Sequence, residues 1–155
     1  MNQLTQNIEL AERSCQESGK RLTKNRKTIL IALLQIDKAV SAYDLVEYCK
    51  KEFNENIPVM SIYRILDFLK QQGLVHRLDL ANKYVACSHI SSPHKHKYSQ
   101  FLICDQCQHV EEVDIDQSTL QSLQLGIKNL GFHVTEPQLE LNGVCDKCFT
   151  SEKQQ

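Results

Sequence analysis

Apolar positions in the first half of the chain recur at helical spacing and are interrupted by turn residues. Residues 3–18 read as a polar helix that stops at Gly19, where a terminating glycine belongs. Thr23 stands in the capping position of a second helix, with Ile29, Leu30, Leu33 and Leu34 on its inner face. Ser41 opens a third, with Asp44 three residues on, close to a capping box, and Leu45, Val46 and Cys49 pointing inward. Pro58 precedes a fourth, over about 59–72, which buries Ile62, Ile65, Leu66 and Leu69 and ends at Gly73. Two short strands follow, 74–80 and 83–87, joined across Ala81 and Asn82. Four helices and a hairpin in that order predict a winged helix-turn-helix.

Beyond this the pattern changes. Residues 89–98, rich in Ser, Pro and His, read as a hinge. Strands near 99–103 and 109–113, a helix near 117–130 and a strand near 133–141 then predict an α/β unit. Asp116 caps its helix, Leu120, Leu123, Ile127 and Leu130 form the stripe, and Gly131 closes it. The expected class is α+β, with a winged helix-turn-helix over 1–88 and a small α/β domain over 99–155. At 57 residues, the second domain is of a size that usually needs a metal or a partner subunit.

Charge follows the same division. The net charge of −1 combines +3 over residues 1–85 (13 Lys/Arg, 10 Asp/Glu) with −4 over 86–155 (5 and 9). Two units with different partners are expected. No apolar run approaches the ~18 residues of a membrane span, and the N-terminus lacks the layout of a signal peptide. Both features favour the cytoplasm, where seven cysteines read as metal ligands and buried thiols more readily than as disulfides. Cys15 and Cys49 fall on apolar helix faces and read as inert core thiols.

The other cysteines carry chemistry. Cys104-Asp105-Gln106-Cys107 and Cys145-Asp146-Lys147-Cys148 are two CxxC pairs. Two intervening residues let both thiolates of a pair turn toward one ion, and two such knuckles complete a zinc tetrahedron. The 37 residues between the pairs exceed the ~15–20 of a zinc ribbon and leave room for an inserted helix and strand. Four protein ligands close the site, which predicts a structural zinc; redox-active or coincidental pairs are the alternative. A zinc deaminase is a poor match. His109-Val110-Glu111 offers its H-x-E, but Val144 stands where its proline would precede Cys145, and four cysteines leave no position for a water.

The outer face of the fourth helix presents Ser61, Tyr63, Arg64 and Gln71. Polar first turns with an arginine suit base edges in a major groove, and they equally suit an ordinary solvated face. Across the hairpin, His76 and Cys87 can lie near each other as metal donors, or they can be a surface histidine and a buried thiol.

Leu22-Thr23-Lys24-Asn25-Arg26, Ser41-Ala42-Tyr43-Asp44-Leu45, Ser61-Ile62-Tyr63-Arg64 leading to Gly73-Leu74-Val75, and both CxxC pairs resemble the ferric uptake regulator (Fur) superfamily. Ser41 to Asp44 and the segment Tyr84-Val85-Ala86-Cys87 resemble its zinc uptake regulators in particular. The resemblance runs from about residue 8 to 148. It implies a homodimeric repressor, not an enzyme, that binds double-stranded operator DNA when zinc-loaded and represses zinc-import genes. One structural and one regulatory Zn²⁺ per subunit are implied, with no membrane and no small-molecule substrate, and residues 99–155 become the dimerisation domain.

Position by position, the resemblance places Tyr43 and Arg64 on DNA, with Ser61 and Tyr63 beside them. Lys24, Arg26 and Lys27 are expected on phosphates. His76 and Cys87 become regulatory ligands from the wing, Glu112 one from the dimerisation domain, and a linker histidine the fourth. Many relatives carry a His-rich run just before the first CxxC, where this chain has Tyr98, Ser99, Gln100 and Phe101. His96 is therefore the favoured linker ligand, with His94 as substitute and His89 behind them. Pro137 stands in place of a histidine used by a further metal site in iron-sensing relatives, so that site is expected to be absent or incomplete. One thiolate, two imidazoles and a carboxylate suit tetrahedral Zn²⁺ better than Fe²⁺ or Mn²⁺. An iron, manganese or peroxide sensor of the same superfamily is the nearest alternative, and a zinc-stabilised interaction module that reads no DNA is the alternative from another class. Glu47 and Lys50 are either ion-pairing residues between dimers on DNA or solvated charges.

Overall fold

A computed structural model of the chain describes residues 2–90, 99–135 and 138–153. The chain divides into two compact units, Met1–Pro93 and His94–Gln155.

The first unit holds helices α1 (Gln3–Glu17), α2 (Lys24–Ile36), α3 (Ala42–Phe53) and α4 (Val59–Gln71), then strands β1 (Val75–Leu78) and β2 (Lys83–Ala86). Its core takes Ala11 and Cys15 from α1, Ile29 and Leu30 from α2, Leu45 and Cys49 from α3, and Ile62 and Leu66 from α4, all buried. For α2, α3 and α4 these are the faces that the helical spacing predicts; of α1, read as a polar helix, only Cys15 is expected inside. Burial raises the pKa of both Cys15 and Cys49, as befits thiols kept in the core.

Local chemistry sets the helix ends. Ser41 Oγ accepts from Asp44 N at 3.1 Å while Asp44 Oδ2 accepts from Ser41 N at 2.9 Å, a reciprocal capping box. Thr23 occupies the N-cap of α2, but its side chain makes no capping bond. Asp37 and Asn54 close α2 and α3 in the left-handed conformation, a role that the apolar pattern does not disclose. After α4, Gly73 at φ +72° lets Leu74 N reach back to Leu69 O at 2.9 Å and turns the chain into β1.

Strands β1 and β2 pair antiparallel, with Val75 opposite Ala86 and Leu78 opposite Lys83. A third partner comes from the α2–α3 connection. Val40 and Tyr84 exchange both main-chain bonds, Val40 N to Tyr84 O at 3.0 Å and Tyr84 N to Val40 O at 2.7 Å.

The second unit has strands β3 (Ser99–Cys104) and β4 (Val110–Asp114), helix α5 (Gln117–Asn129), strand β5 (Gln138–Gly143) and helix α6 (Asp146–Lys153). The sheet order is β4-β3-β5, with β4 antiparallel to β3 and β5 parallel to it. Ser99, Phe101 and Ile103 alternate inward along β3, and Leu120 of α5 is buried. Asp116 caps α5 by accepting from Thr119 N at 3.0 Å, and hydrogen bonds from the Thr119 hydroxyl and then its N–H lower the carboxyl pKa.

Two sequence expectations change here, and one helix is added to them. The last strand starts at Gln138, not near 133, because its pairing with β3 begins at Ser99 opposite Gln138. The polar helix α6 lacks an apolar stripe; it grows from the second cysteine pair, where Phe149 N bonds Cys145 O at 2.9 Å. The α5 stripe is buried only at Leu120: Leu123 is exposed and Leu130 is 85% exposed.

Replacing Ser41 with Ala is expected to cost the helical unit about 1 kcal/mol by removing the capping box, while Ser41→Asp costs much less. Urea unfolding followed by circular dichroism measures the difference.

Candidate metal centres and nucleic-acid face

Parallel pairing of β3 and β5 runs from Ser99 opposite Gln138 to Cys104 opposite Gly143, so both strands end side by side. Each delivers one CxxC knuckle there. The first is a turn closed by Gln108 N to Cys104 O at 3.0 Å, with Gln108 at φ +65°. Asp105 N bonds Gly143 O at 2.8 Å, tying the first knuckle to the strand that leads into the second. The four Sγ atoms of Cys104, Cys107, Cys145 and Cys148 all lie within 4.8 Å of one another. Cys107 and Cys145 sulfurs are 3.7 Å apart. Zn–S bonds of about 2.3 Å at tetrahedral angles separate sulfurs by about 3.8 Å, whereas a disulfide needs about 2.05 Å. The four thiols therefore fit a zinc ion.

Their protonation is uneven. The Cys107 and Cys145 N–H groups bond Cys104 Sγ, the latter at 3.4 Å, and lower its pKa to about 6 against the opposing effect of burial. Cys148, hydrogen-bonded to the Cys145 thiol and partly desolvated, is raised to about 12. Backbone N–H dipoles thus favour the thiolate form of Cys104, where the two knuckles meet.

A second donor group lies on the hairpin. His76 is on β1 opposite Val85, and Cys87 follows β2 with its N–H bonded to Leu74 O at 2.9 Å. Their ligand atoms are within 4.8 Å of each other. Cys87 is buried and its sulfur accepts from His89 N at 3.4 Å. In the second unit Glu112 stands on β4 opposite Phe101 and accepts from Ser99 Oγ at 3.4 Å. His94, His96 and Pro137 lie outside the described residues.

The expected DNA residues divide by environment. Tyr43, on the first turn of α3, is 64% exposed. Arg64 is exposed on α4, whereas Ser61 and Tyr63 are half-buried and Tyr63 packs on the core. The exposed stripe of α4 is Met60, Arg64, Asp67 and Gln71. Among the basic residues, Lys24 pairs with Glu55 at 3.1 Å and Lys27 pairs with Glu12. Arg26 lies 3.6 Å over the Phe68 ring and donates to Arg21 O at 2.8 Å. Its guanidinium thereby joins the start of α2 to the side of α4.

A model of the ferric uptake regulator family matches residues 17–142. The chain belongs to that family. It is 32% identical over 142 residues to the zinc uptake regulation protein of Escherichia coli K12, covering 92% of this chain and 81% of the relative. A solved zinc uptake regulator complexed with zinc and DNA superposes with a TM-score of 0.86 at 29% identity, covering 99% of both chains. Holo XcZur superposes at 0.77 with 36% identity, covering 92% of this chain and 96% of that one.

Family membership agrees with the winged-helix order and the four-cysteine cluster. Met60 heads the exposed stripe of α4, four residues before Arg64.

Cys145→Ser is expected to remove one zinc equivalent per chain and to abolish slow amide exchange in β3 and β5, leaving the core helices of the first unit protected. Atomic absorption and hydrogen exchange by mass spectrometry provide the two readouts.

Proposed function

We propose that this chain is a zinc-responsive repressor of zinc uptake genes, acting in the cytoplasm as a homodimer on double-stranded operator DNA and having no enzymatic role. The observation that carries the reading is the His76–Cys87 pair, an imidazole and a buried thiol within 4.8 Å of each other on the wing of a winged helix. Relatives whose names concern zinc uptake support it. A thiolate donor favours Zn²⁺ over the iron and manganese chosen by the nearest alternative. In support of a second copy as partner, the small unit leaves Leu123, Leu130 and Leu141 exposed. Among the described residues no helix is long and apolar enough to cross a membrane.

The assignment comprises a structural zinc on Cys104, Cys107, Cys145 and Cys148, and a regulatory one on His76, Cys87, Glu112 and His96, with His94 as substitute. Bound there, zinc supplies a tetrahedral tie without redox chemistry. His76 and Cys87 donate from the DNA-binding unit, Glu112 from the sheet unit and the histidine from the linker. Joining them removes conformational freedom that operator binding would otherwise have to order. Operator DNA must in turn tighten zinc binding by the same factor.

On the DNA face, Arg64 and Tyr43 contact bases, with Ser61 and Tyr63 supporting the same turns. Lys24, Arg26 and Lys27 face phosphates. Because Arg26 also packs on Phe68, replacing it costs stability as well as affinity. Lys24 is the cleaner electrostatic probe.

Fluorescence anisotropy with zinc-uptake promoter DNA across buffered free zinc tests the reading. Cys87→Ser is expected to lose zinc-dependent binding by more than the ~10–100-fold typical of a lost outer-sphere partner, with the dimer still folded. A normal zinc response in that variant would refute the regulatory assignment. Lys24→Ala is expected to lower the slope of log K against log salt by about one, whereas Arg64→Ala loses about 1–3 kcal/mol of base discrimination.

A further inference from the structure

Three large apolar residues of the first unit are prominently exposed among the described residues: Tyr43, Met60 and Leu80. Single apolar residues on a surface are ordinary, so exposure alone assigns nothing. Position separates Met60 from the background. It is the second residue of α4, 64% exposed, and it starts the outward stripe that continues through Arg64. Tyr43, equally exposed, lies on the first turn of α3.

We propose that Met60 reads the C5-methyl group of a thymine in the operator's major groove. The inference rests on α4 being the helix that enters that groove. Met has no hydrogen-bond donor and only a weak thioether acceptor. It therefore cannot hydrogen-bond the N7 and O6 acceptors of the purines and accepts only weakly from the N6 and N4 donors of adenine and cytosine. The thymine methyl is the apolar group that a base pair presents in this groove. An unbranched, polarizable side chain can follow such a methyl without a fixed approach angle.

Spacing places the contact near that of Arg64. Four residues of helix rise about 6 Å, close to two base-pair steps of about 3.4 Å each. Met60 and Arg64 would thus read a thymine and a guanine one or two base pairs apart, the first by apolar contact and the second by a bidentate hydrogen bond. Asp67, next along the stripe, disfavours close approach to phosphates and keeps the contact at the N-terminal turns.

The test uses the zinc-loaded full-length protein and a duplex it selects from a random pool. Each thymine is replaced in turn by deoxyuridine, which removes only the methyl group. Wild type is expected to lose about fourfold in affinity at one symmetry-related pair of thymines per operator, the value of one buried methyl-sized group. Met60→Ala is expected to bind thymine and uracil equally there, and Met60→Leu to retain the preference. Identical thymine profiles for wild type and Met60→Ala would overturn the assignment while leaving the DNA-binding reading intact. Failure to select any duplex would overturn that reading and this assignment with it.

Discussion

The parallel pairing of β3 with β5 is the constraint on which the second unit depends. Among its described residues few side chains are deeply buried, chiefly Phe101, Ile103 and Leu120, and a core so small leaves little to offset the entropy of ordering the unit. The pairing brings two strand ends together, and those ends carry the four thiols. A zinc ion on them would close the loop that contains β4 and α5 and fix the register of both strands at one point. Metal and sheet would thus stabilise each other: without the pairing the knuckles do not meet, and without the ion the pairing rests on its own main-chain bonds.

The first unit stands on different terms. Its helices share a continuous apolar core, and its helix ends are closed by backbone and side-chain bonds that need no ligand. This permits a division of labour between the two donor groups. A four-cysteine site embedded in its own fold suits permanent occupancy. The His76–Cys87 pair lies on a hairpin held by its own antiparallel pairing, by the Val40–Tyr84 exchange and by Val75 and Tyr84 in the helical core.

The sequence disclosed features with a period or a fixed spacing. Three amphipathic helices behind a polar one, the Ser41–Asp44 box, the turn at Gly73 and both CxxC pairs were legible because each follows from a local rule. Helix α6 was not, since it has no apolar stripe and depends on the knuckle before it. The start of β5 was set by the length of its partner strand, a non-local matter. The α5 stripe was correct as a pattern, yet its burial needs surface that this unit does not itself provide. Arg26 looked like a simple phosphate ligand because the Phe68 ring beneath it is 42 residues away in sequence.

The exchange of main-chain bonds between Val40 and Tyr84 has a mechanical consequence. It fastens the hairpin that carries His76 and Cys87 to the segment immediately before Ser41, and Ser41 caps the helix that bears Tyr43. The hairpin and the start of α3 are thereby welded through main chain alone, and a weld of that kind is hard to remove by changing any one side chain.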